Sequence, residues 1–206
     1  MHARSVTIMG RPEAVDEGIT FVRDEAQPAI TAMKGCLGLS LVVDRASGRS
    51  ITTSSWETQD LMVLANDELI PLRGRLSEIL GGEPEVDQWV IALMRRARPA
   101  GLGACCRIIW SRPTDVYTHV LIERFRNPWL RVIEAVDGFC SVSVFVNRLE
   151  RRICSTATFE SAAALAASQG VATALRERIA FETGVEFIEL AEFELALAHL
   201  RVPELV

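Results

Sequence analysis

Apolar residues fall along this chain in two rhythms. Short runs rich in Val, Ile, Thr and Ser, at residues 37–44 and 49–56, read as strands, since alternate side chains line one face of a sheet. Elsewhere apolar residues recur three and four positions apart. Val15, Ile19, Val22, Ala26, Ile30 and Met33 make one such stripe, and Ile122, Phe125, Trp129, Val132 and Val136 make another. Each set occupies one face of a helix. Gly35 and Gly138 follow these helices, where a residue tolerant of positive φ is favoured.

The two rhythms occur twice in the same order. A shift of 103 residues aligns Val15–Gly81 with the second half without a gap and gives fifteen identities over 67 positions; unrelated sequences of ordinary composition would give roughly four. Among the matched pairs are Gly35 with Gly138, Arg45 with Arg148, Glu57 with Glu160, Arg73 with Arg176 and Gly81 with Gly184. Arg11-Pro12 meets Arg112-Pro113 after a two-residue change, and Trp89 meets Phe193 after one. Each copy reads as strand, helix, two strands joined by a hairpin, helix, strand. In the first copy these are residues 5–9, a helix carrying the first stripe, 37–44, 49–56, 60–80 and 86–94. In the second they are 105–110, the helix of the second stripe, 139–147, 152–159, 162–183 and 186–197.

A βαββαβ order with these lengths predicts a ferredoxin-like α+β unit with both helices on one face of a four-stranded antiparallel sheet. The other face needs cover. The second copy is covalently at hand to supply it, so the expected fold is two tandem ferredoxin-like units forming an intramolecular dimeric α+β barrel. The expected boundaries are 1–96 for the first unit, 97–103 for a linker broken by Pro99, Gly101 and Gly103, and 104–206 for the second.

Composition narrows the chemistry. The chain of 206 residues has a net charge of −5 and no run of five or more like charges, which argues against a nucleic-acid partner. No apolar run approaches the length of a membrane span, and residues 1–11 lack the apolar core of a signal peptide. A cytoplasmic location is expected. The five cysteines, Cys36, Cys105, Cys106, Cys140 and Cys154, include no C-x-x-C pair, and histidines are confined to His2, His119 and His199. Buried free thiols are the expectation, with no metal site. A Gly-rich phosphate loop, a nucleophile elbow and an H-E-x-x-H motif are all absent from the sequence.

The stretch from Gly35 to Thr58 carries a family likeness. Gly35-Cys36-Leu37-Gly38, Asp44-Arg45 and Trp56-Glu57-Thr58 resemble the hairpin region of the antibiotic-biosynthesis monooxygenase family, and Gly138-Phe139, Asn147-Arg148 and Phe159-Glu160-Ser161 repeat it. The resemblance implies the same fold and a small-molecule pocket between sheet and helices in each copy. It also implies a cofactor-independent monooxygenase acting on an aromatic or polyketide-like substrate, whose own conjugated anion supplies the electron. The protein then binds, deprotonates and orients. The alternative is a binding or structural protein of the same fold without catalysis. Haem binding or degradation is a third reading. It fits poorly, because strand residues 6–9 carry no Asn and neither second helix carries a His.

In this frame Trp56 and Tyr117 are the catalytic candidates. Trp56 matches a pocket Trp of the family, and Tyr117 is the one phenol in the chain. Met9, Trp110, Trp129, Phe159, Arg73 and Arg176 are the candidate substrate-binding residues. The aromatic surplus of the second copy predicts two pockets of unequal size, with the substrate expected beside Trp56 in the first. An active site there calls for a cavity of about 300 Å³ or more. The recurring arginines are expected to form ion pairs, one of Arg73 and Arg75 reaching Glu57 or the sheet end, and their counterparts Glu160. No cofactor is expected. The expected partner is a small molecule, with a pseudo-dimer inside one chain; further pairing of chains is left open.

Overall fold

The computed structural model describes residues 1–113 and 118–205, with the side chains of all but 118–120 and 200. The first copy contains β1 (His2–Met9), α1 (Val15–Phe21), α2 (Gln27–Thr31), β2 (Cys36–Asp44), β3 (Arg49–Trp56), α3 (Gln59–Leu64), α4 (Asn66–Leu80) and β4 (Pro84–Arg96). The second contains β5 (Cys105–Arg112), α5 (Thr118–Arg124), α6 (Leu130–Glu134), β6 (Phe139–Asn147), β7 (Arg152–Phe159), α7 (Ala162–Ala167), α8 (Gln169–Thr183) and β8 (Glu186–Leu200). Both copies are therefore βαββαβ, and the fold class is α+β. Each helix predicted from the sequence is present but divided. A single π turn separates α1 from α2, whereas the chain between α5 and α6 kinks at Asn127, whose backbone is extended (φ −158°, ψ 119°) ahead of Pro128. The second helix of each copy is broken at Ala65 or Ser168, which are equivalent under the 103-residue shift.

Two compact units emerge, one of residues 1–90 with 194–202 and the other of 91–193 with 203–206. In unit 1 the strands hydrogen-bond in the order β4-β1-β3-β2-β8, and in unit 2 in the order β8-β5-β7-β6-β4. Residues 91–96 of β4 fall in unit 2 and residues 194–200 of β8 in unit 1. The full strand order, β1-β3-β2-β8-β5-β7-β6-β4, is that of a closed antiparallel barrel.

Within unit 1, β1 pairs with β3 in the register Ser5↔Thr53 and with β4 in the register Arg4↔Gln88. Alternation sends Val6 and Ile8 of β1 and Leu39, Leu41 and Val43 of β2 toward the helices, where they meet Val15, Phe21, Met62 and Leu76 in one apolar core. The core of unit 2 is built alike, from Val142, Val144 and Val146 of β6 against Leu121, Phe125, Leu175 and Ile179. The opposite sheet face is also buried: Ala3, Ser5 and Trp89 in unit 1, and Cys106, Ile108 and Trp110 in unit 2. Trp89 N–H donates to the Ser5 hydroxyl at 2.8 Å, which satisfies the one polar atom of that ring.

The turn from hairpin to second helix is fixed by two devices that both copies use. The Thr58 hydroxyl accepts from the Leu61 N–H at 3.2 Å, and the Ser161 hydroxyl accepts from the Ala164 N–H at 3.1 Å. These are N-caps that answer an otherwise orphaned donor. Gly35 and Gly138, at φ 78° and 77°, pass directly under Leu61 and Ala164. A β-carbon there meets both a disfavoured backbone conformation and an occupied space. Two predictions follow from this turn. Thr58→Ala is expected to lower stability by about 1 kcal/mol, and Gly35→Ala by more than about 1 kcal/mol. Chemical denaturation of each variant checks both, and a neutral Gly35→Ala contradicts the close packing.

Candidate functional site

Each unit has a cavity between its sheet and its helices, as the family likeness implied. That of unit 2 is the larger, at about 80 Å³, and that of unit 1 measures about 40 Å³. The unit 2 cavity is walled by Leu121, Phe125, Ile133, Leu175 and Ile179 from the helices and by Ile109, Ile153 and Phe159 from the sheet. Its polar lining is sparse: Arg107, Arg176 and the hydroxyls of Ser111, Ser155 and Ser168. The unit 1 cavity is lined by Arg4, Thr52, Ser54 and Arg73 among aliphatic side chains. A wider, shallower depression of about 470 Å³ lies on the solvent side of Arg4, bounded by Val63, Leu64, Asn66, Asp67 and Gln88.

The residues singled out from the sequence are only partly brought together. Phe159 and Arg176 line the unit 2 cavity and Arg73 lines that of unit 1. Trp56 is fully buried in the core of unit 1 and outside the cavity lining. Its indole N–H donates to the Ser54 hydroxyl at 3.0 Å, so that donor is already spent. The cavity near it falls well short of the size expected for an active site beside Trp56. Met9 is 57% exposed at the end of β1 and borders neither cavity. Trp110 is buried, but on the sheet face away from the helices, because it alternates with the cavity-lining Ile109 and Ser111. Trp129 is buried in the core against Phe125, edge to face at 5.5 Å, behind the cavity wall. Trp110 and Trp129 therefore leave the unit 2 cavity open. Tyr117 lies outside the described residues, as does the side chain of His119.

Ion pairing of the recurring arginines is seen at Arg45, Arg112, Arg152 and Arg178, but Arg73 and Arg176 do not reach Glu57 and Glu160. Arg73 donates to Asn66 at 3.2 Å and Arg176 to Thr173 at 3.2 Å, while Glu160 pairs with Arg98 at 2.8 Å. Arg73 thus reaches back to Asn66, beside the break at Ala65, while Arg176 bonds within α8. Arg45 instead bridges Asp16 and Glu194, each at 2.7 Å.

The residues that sequence reasoning missed are Arg4 and Arg107. They stand 103 positions apart, on the apolar side of β1 and β5, and are 2% and 3% exposed. Each reaches the end of the short helix that follows the hairpin, where the helix break frees a carbonyl. Arg4 Nη2 donates to the Met62 carbonyl at 2.9 Å, and Arg107 Nη2 to the equivalent Leu165 carbonyl at 3.2 Å. Beyond this the copies diverge. Arg107 also binds Glu192 through Nε and Nη2 at 2.9 and 2.6 Å, Ser168 through Nη1 at 2.9 Å and Gln169 at 2.8 Å. Arg4 has no partner for Nε or Nη1. Burial and the neighbouring Arg73 pull its pKa below the ordinary arginine value. A charged residue at an inward strand position, repeated in both copies, was the signal that marked the pair.

No cysteine is in a disulfide among the described residues, and burial pushes the Cys106 thiol far above its usual range. No group of described residues is arranged to hold a metal ion, and no described helix is long and apolar enough to cross a membrane.

Comparison with known proteins places this geometry. No protein-family model matches the chain. In solved structures the chain is similar to an anthrone oxidase-like protein, with a TM-score of 0.66 at 12% identity over 99% of this chain and 95% of that one. It is similar to a ferredoxin-fold protein related to antibiotic biosynthesis monooxygenases from Listeria monocytogenes, at TM-score 0.55 and 10% identity over 95% of each chain. A monooxygenase-like protein from Listeria innocua aligns at TM-score 0.53 and 9% identity, over 95% and 94%. These likenesses concern the fold. In sequence, the uncharacterized proteins Rv2557 and Rv2558 of Mycobacterium tuberculosis H37Rv are each 44% identical to it across its whole length, covering 92% and 88% of theirs. The chain belongs to the family of Rv2557 and Rv2558, whose fold here is that of the ferredoxin-like proteins related to antibiotic biosynthesis monooxygenases.

Proposed function

We propose that the chain binds a small apolar, aromatic molecule in the sheet–helix cavity of unit 2. The observation that carries this reading is the cavity itself. It is enclosed by aliphatic and aromatic side chains, and its polar groups gather around Arg107, Ser168 and Arg176. Arg107 is saturated by protein acceptors. Arg176 keeps only one described hydrogen bond, to Thr173, and is the group able to orient a phenol or quinone oxygen. The cavity is about half the size of an apolar cavity of about 150 Å³ that accepts benzene. A one-ring ligand enters with side-chain adjustment, and a polycyclic one requires α8 to shift.

Oxidation of such a ligand by dioxygen is the second reading, favoured by the oxidase-like and monooxygenase-like structural neighbours. The described lining residues include no His, Asp, Glu, Cys or Tyr to accept a proton. A substrate oxidised there would have to arrive as its anion, with Arg176 stabilising that form. Binding without turnover is the reading the lining supports better.

Two measurements test this. A panel of phenols, naphthols and quinones is expected to raise the unfolding midpoint, since a ligand bound only to the folded state stabilises it. Ala172→Phe, which places a ring inside the cavity, is expected to abolish that shift while keeping the fold. A shift that survives Ala172→Phe contradicts the assigned site. Oxygen consumption with the ligands that bind separates the two readings: a turnover that Arg176→Met abolishes favours the oxygenase, and no uptake favours binding alone.

A further inference from the structure

The two copies answer the same buried guanidinium differently. In unit 2, Glu192 supplies a carboxylate to Arg107 at 2.6 Å. Glu192 precedes Phe193 on β8, and the residue preceding the equivalent Trp89 on β4 is Gln88. Gln88 is the register partner of Arg4 across the β1–β4 ladder. Ser168 and Gln169, which also hold Arg107, have Ala65 and Asn66 as counterparts. Ala65 has no hydroxyl, and Asn66 accepts from Arg73 instead. Unit 1 thus lacks the carboxylate and the hydroxyl while holding the same buried cation. Nε and Nη1 of Arg4 are left without a partner, and Arg73 adds a second positive charge on the same cavity.

A buried cation without a counter-ion is costly, and removing one partner of such a pair destabilises strongly. Arg4 is nevertheless held at 2% exposure. Its place in the fold explains what it can reach. The depression beside it, about 470 Å³, is floored by Arg4 and edged by Val63 and Leu64, two apolar side chains that are 50% and 74% exposed. Gln88, Asn66 and Asp67 complete the rim.

We propose that Arg4 anchors a binding site for a small organic monocarboxylate, whose head group takes in unit 1 the position that Glu192 takes in unit 2. The carboxylate takes the Nε edge of Arg4, the edge that Glu192 holds on Arg107 through Nε and Nη2, with Arg73 contributing charge from the inner side. The apolar body of the ligand lies over Val63 and Leu64. Asp67 on the rim repels a second negative charge, which selects monoanions over dicarboxylates. This site is in a different unit from the apolar cavity above and does not depend on that reading.

The test uses the full chain and titrates acetate, benzoate and octanoate at matched ionic strength, with benzamide as the neutral control. Calorimetry and the unfolding midpoint are the readouts. Benzoate is expected to bind about tenfold or more tightly than benzamide, the discrimination of one charge-assisted hydrogen-bonded pair. Gln88→Glu installs the missing carboxylate. It is expected to raise the ligand-free midpoint and weaken benzoate about tenfold or more. Arg4→Met is expected to abolish the preference for benzoate; it and Arg107→Met both lower the ligand-free midpoint by stranding a helix-end carbonyl, Met62 or Leu165, and Arg107→Met lowers it more because it also removes the bonds to Glu192, Ser168 and Gln169. The proposal is overturned if benzamide matches benzoate, if no carboxylate binds at tens of millimolar, or if Gln88→Glu leaves benzoate affinity intact. The last variant keeps the test decisive should Arg4→Met fail to fold.

Discussion

A guanidinium enclosed in an apolar core must be met by acceptors, and that requirement organises both units of this protein. The strand that opens each copy carries its arginine on the helix side, beneath the break in the second helix. The break exposes a carbonyl, Met62 in one copy and Leu165 in the other, that the arginine caps. Helix ends concentrate negative partial charge on such carbonyls, so a cation is well placed there. The interruption of the second helix and the burial of the arginine are thus two sides of one arrangement. A continuous helix would leave the cation with nothing to cap, and an apolar residue in place of the arginine would leave the carbonyl unanswered.

The two copies differ around a common frame. The caps at Thr58 and Ser161, the left-handed glycines at 35 and 138, and the strand register are kept in both. What changed lies around the arginine and in the cavity. In unit 2 the guanidinium is closed off by Glu192, Ser168 and Gln169, and the neighbouring cavity is apolar. In unit 1 the cavity is smaller, and the cation borders a depression open to solvent. The two proposed ligands, an apolar ring in unit 2 and a negative head group in unit 1, follow from that difference.

The fold was legible in the sequence because it rests on local and periodic signals. Strands β3, β6 and β7 fall where alternation put them, and the 103-residue repeat named the topology before any coordinate. The sharing of β4 and β8 between units was not legible, since nothing in a strand's own pattern says which neighbour it pairs with along each half. The site was less readable still. Trp56 and Trp129 look like pocket rings by type, yet bulk serves a core equally well, and both are core. Trp110 was lost to a one-residue matter of phase on β5. The informative residues were polar ones in apolar company. Arg4 and Arg107 break the alternation of their strands in both copies, a violation of pattern that marks a functional or strained position.

The central claim is that the two equivalent arginines differ in occupancy, one sealed by the protein and the other awaiting a ligand. Hydrogen exchange at the arginine Nε–H, followed by nuclear magnetic resonance with and without benzoate, reads this directly. Arg107 Nε–H is expected to be protected in both conditions, and Arg4 Nε–H to exchange quickly alone and slowly with benzoate. Equal and ligand-independent protection of both would contradict it, because Arg4 would then have a protein partner of its own.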